Sequence, residues 1–154
     1  MKKQKLSILF LIISLVLLDQ LIKFILFDSF ALYQSMPIIK NFFYLTLTYN
    51  IGAAFSILSG NRLLLIIISI LVLLLIYRYI NSIKCIDHPI LYSFLTAGII
   101  GNLLDRLFRG YVIDYFHFII FGKNMPIFNL ADVFITLSIL ILIMFEFKGE
   151  LCKK

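Results

Sequence analysis

The chain has 154 residues, of which 62% are hydrophobic and 14% charged, and its mean hydropathy is +1.07. A soluble domain carries about 25% charged residues, and a chain of this size has too little interior to hide so many apolar side chains. Composition therefore excludes a soluble enzyme and, because disorder needs low hydrophobicity, a disordered chain. The formal charge of +6 indicates membrane topology rather than nucleic-acid binding, because Lys and Arg accumulate in cytoplasmic segments.

Four apolar runs follow one another, each near the length of about 20 residues that crosses a bilayer as a helix. The runs cover about residues 6–27, 63–83, 89–106 and 130–147. The first follows three lysines, as in a secretory signal peptide, but it contains Asp19 and Lys23 and no small-residue cleavage site follows it. We interpret it as a retained helix and predict four spans within a single membrane-embedded domain, residues 1–154.

The first and third connections between the runs are long, about residues 28–62 and 107–129, and the second is short. Each long connection contains an aromatic and β-branched segment typical of strands, residues 42–49 in one and 115–121 in the other. Four spans place both long connections on one side of the membrane. The predicted fold class is an all-α polytopic membrane protein with four transmembrane helices and a small β-containing cap on the outer face.

The distribution of Lys and Arg predicts the orientation, because the cytoplasmic side is the more basic one. With the N-terminus inside, the cytoplasmic segments hold Lys2, Lys3, Lys5, Arg78, Lys84, Lys148, Lys153 and Lys154. The outer segments then hold Lys40, Arg62, Arg106, Arg109 and Lys123. Both termini are predicted to be cytoplasmic, which places the cap and any elaborate site outside.

Charged groups inside a span cost about 2.5–3.5 kcal/mol on insertion scales, so each one is a candidate functional residue. In this topology the polar residues at the span ends share one depth, near the outer boundary: Asp19, Lys23, Asn102, Asp105, Arg106, Asn129 and Asp132. Asp19 and Lys23 form either a structural i,i+4 ion pair or a substrate contact. Asp105 and Arg106 are interpreted first as a structural or interfacial pair.

Asp114 and Asp132 differ from the other acids because neither has an adjacent cation in the sequence. Taken alone, Asp132 is an N-cap-like carboxylate and Asp114 a solvated loop residue. Taken together, they predict a carboxylate dyad, in which the ionised member deprotonates water while the protonated member polarises a carbonyl group.

No motif for a metal or a redox centre is present, so the sequence predicts no metal and no cofactor. Cys85 and Cys152 are far apart in polar segments and are interpreted as incidental thiols. His88 falls on the inner side and is interpreted as inert. His117 follows Asp114 by three residues and is either a surface-loop residue or a modulator of the site.

Five sequence motifs, in order along the chain, resemble those of bacterial lipoprotein signal peptidases (signal peptidase II). They are D-Q-x-x-K at residues 19–23, N-x-G-A-A-F at 50–55, G-x-x-G-N-x-x-D-R at 98–106, V-x-D-[FY] at 112–115 and F-N-x-A-D at 128–132. One departure is Ala97, where the family commonly has a glycine; both residues are small enough for close helix packing.

The resemblance implies an aspartic endopeptidase of the bacterial cytoplasmic membrane, surrounded by membrane lipids and sensitive to globomycin. We expect it to act as a monomer. It implies cleavage of diacylglyceryl-modified prolipoproteins just before the lipidated cysteine, and an outer β-cradle. The implied catalytic pair is Asp114 and Asp132. The implied substrate-binding or dyad-supporting positions are Asn50, Gly52, Asn102, Arg106 and Asn129. Asp19, Lys23 and Asp105 are implied to be structural support.

Two other hypotheses stay open at this point. A small four-helix multidrug transporter also places an acid in its first span, but it has short loops on both sides and no Asn/Asp clusters at the outer helix ends. A non-catalytic membrane assembly factor would use the cap to bind partners, and its two Asp residues would be dispensable.

Overall fold

The computed structural model describes residues 2–52, 60–82 and 88–147. Its helices are α1 (Lys2–Ser29), α2 (Arg62–Ser82), α3 (Pro89–Phe108) and α4 (Leu130–Phe147). Its strands are β1 (Ser35–Ile39), β2 (Phe43–Asn50), β3 (Val112–Ile120) and β4 (Lys123–Asn124). Within these described residues, four helices are long and apolar enough to cross a membrane. The predicted fold class, four spanning helices with a small sheet, is confirmed.

The helices expose apolar side chains, as expected of segments solvated by lipid, where only a helix or a closed barrel satisfies every backbone group. In α2 a single residue of the helix, Leu65, is buried. Helix α3 is the central one: it packs against α1, α2 and α4, and half of its residues are buried. The polar residues of the bundle therefore converge on α3, away from lipid.

Two glycines of α3 allow this packing. A Cβ atom on Gly98 would lie 2.5 Å from the Ala131 carbonyl oxygen of α4, and one on Gly101 would lie 2.6 Å from Asp19 Oδ2 of α1. Real Cβ atoms do not approach oxygen so closely. Small residues at such contacts let helix backbones approach one another in membranes.

Replacing Gly98 with alanine is expected to lower the stability by about 1–3 kcal/mol, because the added methyl group pushes α3 away from a backbone carbonyl of α4. Thermal unfolding of the purified protein in detergent measures the effect. Ile90→Ala, at a position of the same helix that is 60% exposed, is the matched control. Equal melting temperatures of the two variants would contradict the close contact.

The strands form one antiparallel arrangement in the order β1-β2-β3-β4. Strands β2 and β3 pair from Phe43 opposite Phe118 to Asn50 opposite Val112, with a register shift between Leu45 and Thr48. The buried side chains Leu47, Ile113 and Tyr115 pack against residues of α1 that include Ile22 and Leu26. The sheet is thus fixed to the bundle at the end of β3 that carries Asp114.

Strand β3 begins at Val112, three residues before the segment predicted from sequence. This corrects the interpretation of Asp114 as a solvated loop residue, because Asp114 lies within the strand and is only 2% exposed. Asp is depleted in strands, so Asp114 hides the strand signal of the first residues of β3.

Candidate active site

Asp132 lies in the first turn of α4 and forms a capping box with Asn129. The Asp132 N–H donates to Asn129 Oδ1 at 2.9 Å, and the Asn129 N–H donates to Asp132 Oδ2 at 3.2 Å. This reciprocal pair satisfies two backbone donors that the start of a helix leaves free. The second carboxylate oxygen, Oδ1, accepts from Asn102 Nδ2 at 2.8 Å. The carboxyl group is thereby held in one orientation.

Asp114 is held by two amide side chains. Its Oδ1 accepts from Asn129 Nδ2 at 2.6 Å, and its Oδ2 accepts from Asn50 Nδ2 at 2.9 Å. A buried carboxyl group needs such donors in place of water. Asn50 is the last residue of β2 and lies beside the start of β3, so the strand pairing itself brings this donor to Asp114.

Asn129 joins the two carboxyl groups, since its backbone N–H contacts Asp132 and its side-chain amide contacts Asp114. The same amide donates to Asn102 Oδ1 at 3.2 Å. Asn102 Oδ1 also accepts from Lys23 Nζ at 3.1 Å. The two acids, 18 positions apart in sequence, therefore share one hydrogen-bond network built on amide side chains.

Burial, and to a lesser extent the negative charge of Asp132, raise the pKa of Asp114 to about 7. Hydrogen bonds from Asn50 and Asn129 act in the opposite direction but do not cancel the cost of burying the charge. At neutral pH this carboxyl group is poised between its protonated and ionised forms. A neutral and an ionised carboxyl group side by side can act as acid and base together.

Arg106 holds the loop that follows β2. Its Nη2 donates to the Gly52 carbonyl at 2.8 Å, and its Nη1 donates to the Asn102 carbonyl at 3.3 Å. The Gly52 N–H in turn donates to Asn50 Oδ1 at 2.9 Å, which orients the Asn50 amide toward Asp114. Ala53, Ala54 and Phe55 of the same motif lie outside the described residues.

The predicted pairing of Asp105 with Arg106 is wrong. Asp105 instead forms ion pairs with Lys23, at 2.8 Å, and with Arg109. Consecutive residues of a helix point in directions about 100° apart, whereas residues four apart share a face. Asp105 therefore faces α1, and the adjacent Arg106 faces the carboxyl pair.

Lys23 lies between two acids, with Asp19 Oδ2 at 2.9 Å and Asp105 Oδ2 at 2.8 Å, and all three residues are 0% exposed. Asp19 Oδ1 accepts from the Ala131 N–H at 3.1 Å. Asp105 Oδ2 accepts from the Ile113 N–H at 3.4 Å. This buried network thus contacts the backbone directly before Asp132 and directly before Asp114.

Arg109 and Gln20 also belong to this network, and neither was predicted from the sequence as a site residue. Arg109 Nη1 donates to Gln20 Oε1 at 2.9 Å and also pairs with Asp105. Gln20 Nε2 donates to the Gly101 carbonyl at 3.2 Å. The spacing of four between Asp105 and Arg109 is the signal that could have identified this pair.

The two histidines have partners away from the carboxyl pair. His117 lies in β3, and its Nδ1 is 3.0 Å from Thr46 Oγ1. His88 stacks on Phe145 with a centroid separation of 3.8 Å. Cys85 and Cys152 lie outside the described residues.

A cavity of about 780 Å³ opens beside the carboxyl pair. Its polar wall contains Asn50, Asn102, Arg106 and Asp132. The rest is mostly apolar and is contributed by α2, α3, α4 and the segment from β3 to α4. The shape can receive a peptide bond at the polar wall and long apolar groups along the helices.

Four membrane-length helices in the described part of the chain, with one buried and one half-buried carboxyl group beside an apolar cavity, define a class of protein: a membrane-embedded peptidase of the aspartic type. A family model described as signal peptidase (SPase) II matches residues 11–148. The chain belongs to the signal peptidase II family.

Individual relatives agree with this membership. The chain is 37% identical over 141 residues to a lipoprotein signal peptidase of Halothermothrix orenii, with 90% of this chain and 94% of that protein covered. It is 35% identical over 144 residues to a lipoprotein signal peptidase of Staphylococcus aureus, with coverages of 92% and 88%. A bacterial membrane enzyme solved by the in meso method at 2.3 Å superposes with a TM-score of 0.87 and 31% identity, covering 96% of this chain and 92% of that one.

The sequence-based identification of the family and the enzyme class is confirmed. The chain is a peptidase that removes signal peptides from prolipoproteins, and the transporter and assembly-factor hypotheses are not favoured.

Proposed function

We propose that the chain cleaves diacylglyceryl-modified prolipoproteins at the peptide bond before the lipidated cysteine, with Asp114 and Asp132 as the catalytic pair. The observation that carries the proposal is the bridge made by Asn129, which contacts both carboxyl groups, and one of the two, Asp132, lines an apolar cavity. A lipid-modified substrate needs a carboxyl pair for hydrolysis and an apolar space for its acyl chains, and here the two adjoin.

The proposed orientation has both termini in the cytoplasm and the sheet on the outer side of the bacterial cytoplasmic membrane. The excess of Lys and Arg in the predicted cytoplasmic segments supports it. Asp132 then lies at the outer start of α4, and Asp114 lies in β3 on the same side. We propose that the chain acts as a single domain and as a monomer, on substrates that reach it within the membrane plane.

In the proposed reaction a water molecule attacks the carbonyl carbon of the scissile bond. Asp132, at the N-terminal end of α4 where a negative charge is stabilised, takes a proton from this water. Asp114 carries the shared proton and donates a hydrogen bond to the carbonyl oxygen, which becomes negatively charged as the tetrahedral intermediate forms. Collapse of the intermediate breaks the C–N bond, while Asp132 gives the proton that it took from water to the leaving amine of the cysteine.

The other polar residues are proposed to hold this pair and the substrate backbone. Asn50, Asn102 and Asn129 fix the orientation of the carboxyl groups through the hydrogen bonds described above. Arg106 fixes the carbonyl of Gly52, where the absence of a side chain leaves room for the backbone of a substrate. The buried network around Lys23 is proposed to position the backbone directly before Asp114 and directly before Asp132.

The test is a cleavage assay with the reconstituted protein. A prolipoprotein carrying diacylglycerol on its cysteine is compared with the same precursor without the lipid, and the products are identified by gel shift and mass spectrometry. We expect cleavage of the modified precursor directly before the cysteine, and inhibition by globomycin. Equal cleavage of the unmodified precursor would contradict the proposed substrate class.

The value of kcat/KM is expected to fall as the pH rises through about 7, the pKa to which burial and Asp132 raise Asp114. Below that pH Asp114 is protonated and can donate to the carbonyl oxygen; above it Asp114 is charged and cannot. Above the pKa the loss approaches about tenfold per pH unit. Initial rates in detergent, with folding followed by circular dichroism, measure it. A profile that is flat from about pH 6 to about pH 8 would show that Asp114 is not the proton donor.

A further inference from the structure

The end of the sheet opposite the carboxyl pair has a composition that the peptidase reaction does not explain. We call it the sheet tip: the β1–β2 turn with its flanks, residues 38–42, and the β3–β4 turn with its flanks, residues 119–124. The two turns are adjacent, because the Ile119 N–H donates to the Phe42 carbonyl at 2.8 Å. The tip lies at the far end of β3 from Asp114, about 20 Å along the strand.

Phe121 is the outermost residue of this tip. Its side chain is 99% exposed, and its backbone has a φ of 51°, a left-handed conformation that is unusual for an aromatic residue. A turn of this kind favours Gly or Asn, so both the backbone and the exposed ring are unfavourable in water. An apolar partner outside the chain would explain why a phenylalanine stands at this exposed turn position.

The rest of the sheet tip has the same character. Ile38, Ile39 and Phe42 are each at least 45% exposed, and Ile120 is 38% exposed. Its charged residues are Lys40 and Lys123, both exposed, and it contains no acid. Exposed aliphatic and aromatic side chains flanked by lysines are typical of segments that lie at a membrane interface, where lysine meets lipid phosphate.

The cavity places the tip beside the bundle. Ile120 and Met125 line the same cavity as Ser69 of α2 and Leu137 of α4. Each of these two helix residues is seven positions from the start of its helix at the sheet side, or about 10 Å along the axis. Ile120, a residue of the sheet tip, therefore lines a cavity whose walls include two of the spans.

We propose that the sheet tip inserts into the outer leaflet, with Phe121 among the acyl chains and Lys40 and Lys123 at the phosphate groups. The sheet is then supported at both ends, by the helix bundle near Asp114 and by lipid at Phe121. This inference rests on the proposed orientation, with the sheet on the outer side. The proposed partner of the tip is phospholipid, because the tip is apolar and basic and lies beside two of the spans.

Fluorescence tests the proposal directly, because the chain contains no tryptophan. Phe121→Trp introduces a single reporter, and the variant is reconstituted in phospholipid vesicles with and without brominated acyl chains. We expect blue-shifted emission, and quenching by the brominated lipid at least about twofold stronger than for N-acetyl-tryptophanamide in the same vesicles. Phe10→Trp, at a position of α1 that is 73% exposed, is the lipid-facing reference.

Emission and quenching equal to those of the free indole compound would overturn the proposal. Ile120→Trp is a second reporter in case the first variant does not fold, and the same outcome there would also overturn it. The readout does not require catalysis. An active enzyme with an unquenched reporter contradicts the sheet tip alone, whereas a quenched reporter in protein that cleaves no prolipoprotein contradicts the proposed function alone.

Discussion

Asp114→Asn and Asp132→Asn are each expected to lower the rate of prolipoprotein cleavage by at least about 10²–10⁴-fold. An asparagine at either position keeps the size of the side chain but can neither hold the shared proton nor remove one from water. The folded structure changes little in shape, so the loss appears in kcat. Gel-shift kinetics under single-turnover conditions, with the modified precursor and reconstituted protein, measure it.

Asp28→Asn is the matched control. Asp28 is an exposed acid at the C-terminal end of α1, close in sequence to the start of the sheet, and it lies outside the site. It makes the same chemical change in the same part of the molecule and is expected to leave the rate unchanged. Cleavage by either dyad variant at close to the control rate would show that the carboxyl pair is not catalytic, whatever the family membership.

Lys23→Met is expected to lower the free energy of unfolding by about 3–5 kcal/mol, because it leaves buried carboxylates without their cation. Lys23 pairs with both Asp19 and Asp105, and all three are 0% exposed. Asp105 keeps Arg109, whereas Asp19 loses its ion pair. The melting temperature in detergent measures this loss of stability. The cleavage rate is measured at a temperature below the melting temperature of the variant.

The double variant Lys23→Met with Asp19→Asn is the control for this effect. It removes one positive and one negative charge, so the buried network regains its balance of charge, and most of the lost stability is expected to return. An asparagine oxygen can still accept from the Ala131 N–H, which Asp19 Oδ1 accepts in the native protein. A double variant less stable than Lys23→Met would contradict a role based on charge balance.

The sequence determined the helices because, in lipid, an apolar run of span length can satisfy its backbone groups within itself only as a helix. It also indicated the sheet, through aromatic and β-branched segments, and the candidate residues Asn50, Asn102, Asn129, Asp114 and Asp132, through their rarity in an apolar chain and through the motifs. What those signals share is that each depends on residues close together along the chain.

Only the tertiary structure decided which polar groups meet. Asp105 pairs with Lys23 and Arg109 rather than with its neighbour Arg106, since helix geometry turns consecutive side chains to different faces. Asn129 came to bridge Asp114 and Asp132 because the start of α4 lies beside β3. The composition of the chain, 62% hydrophobic and 14% charged, determined that it is a membrane protein. Which of its few charges share a network depended on packing between distant segments.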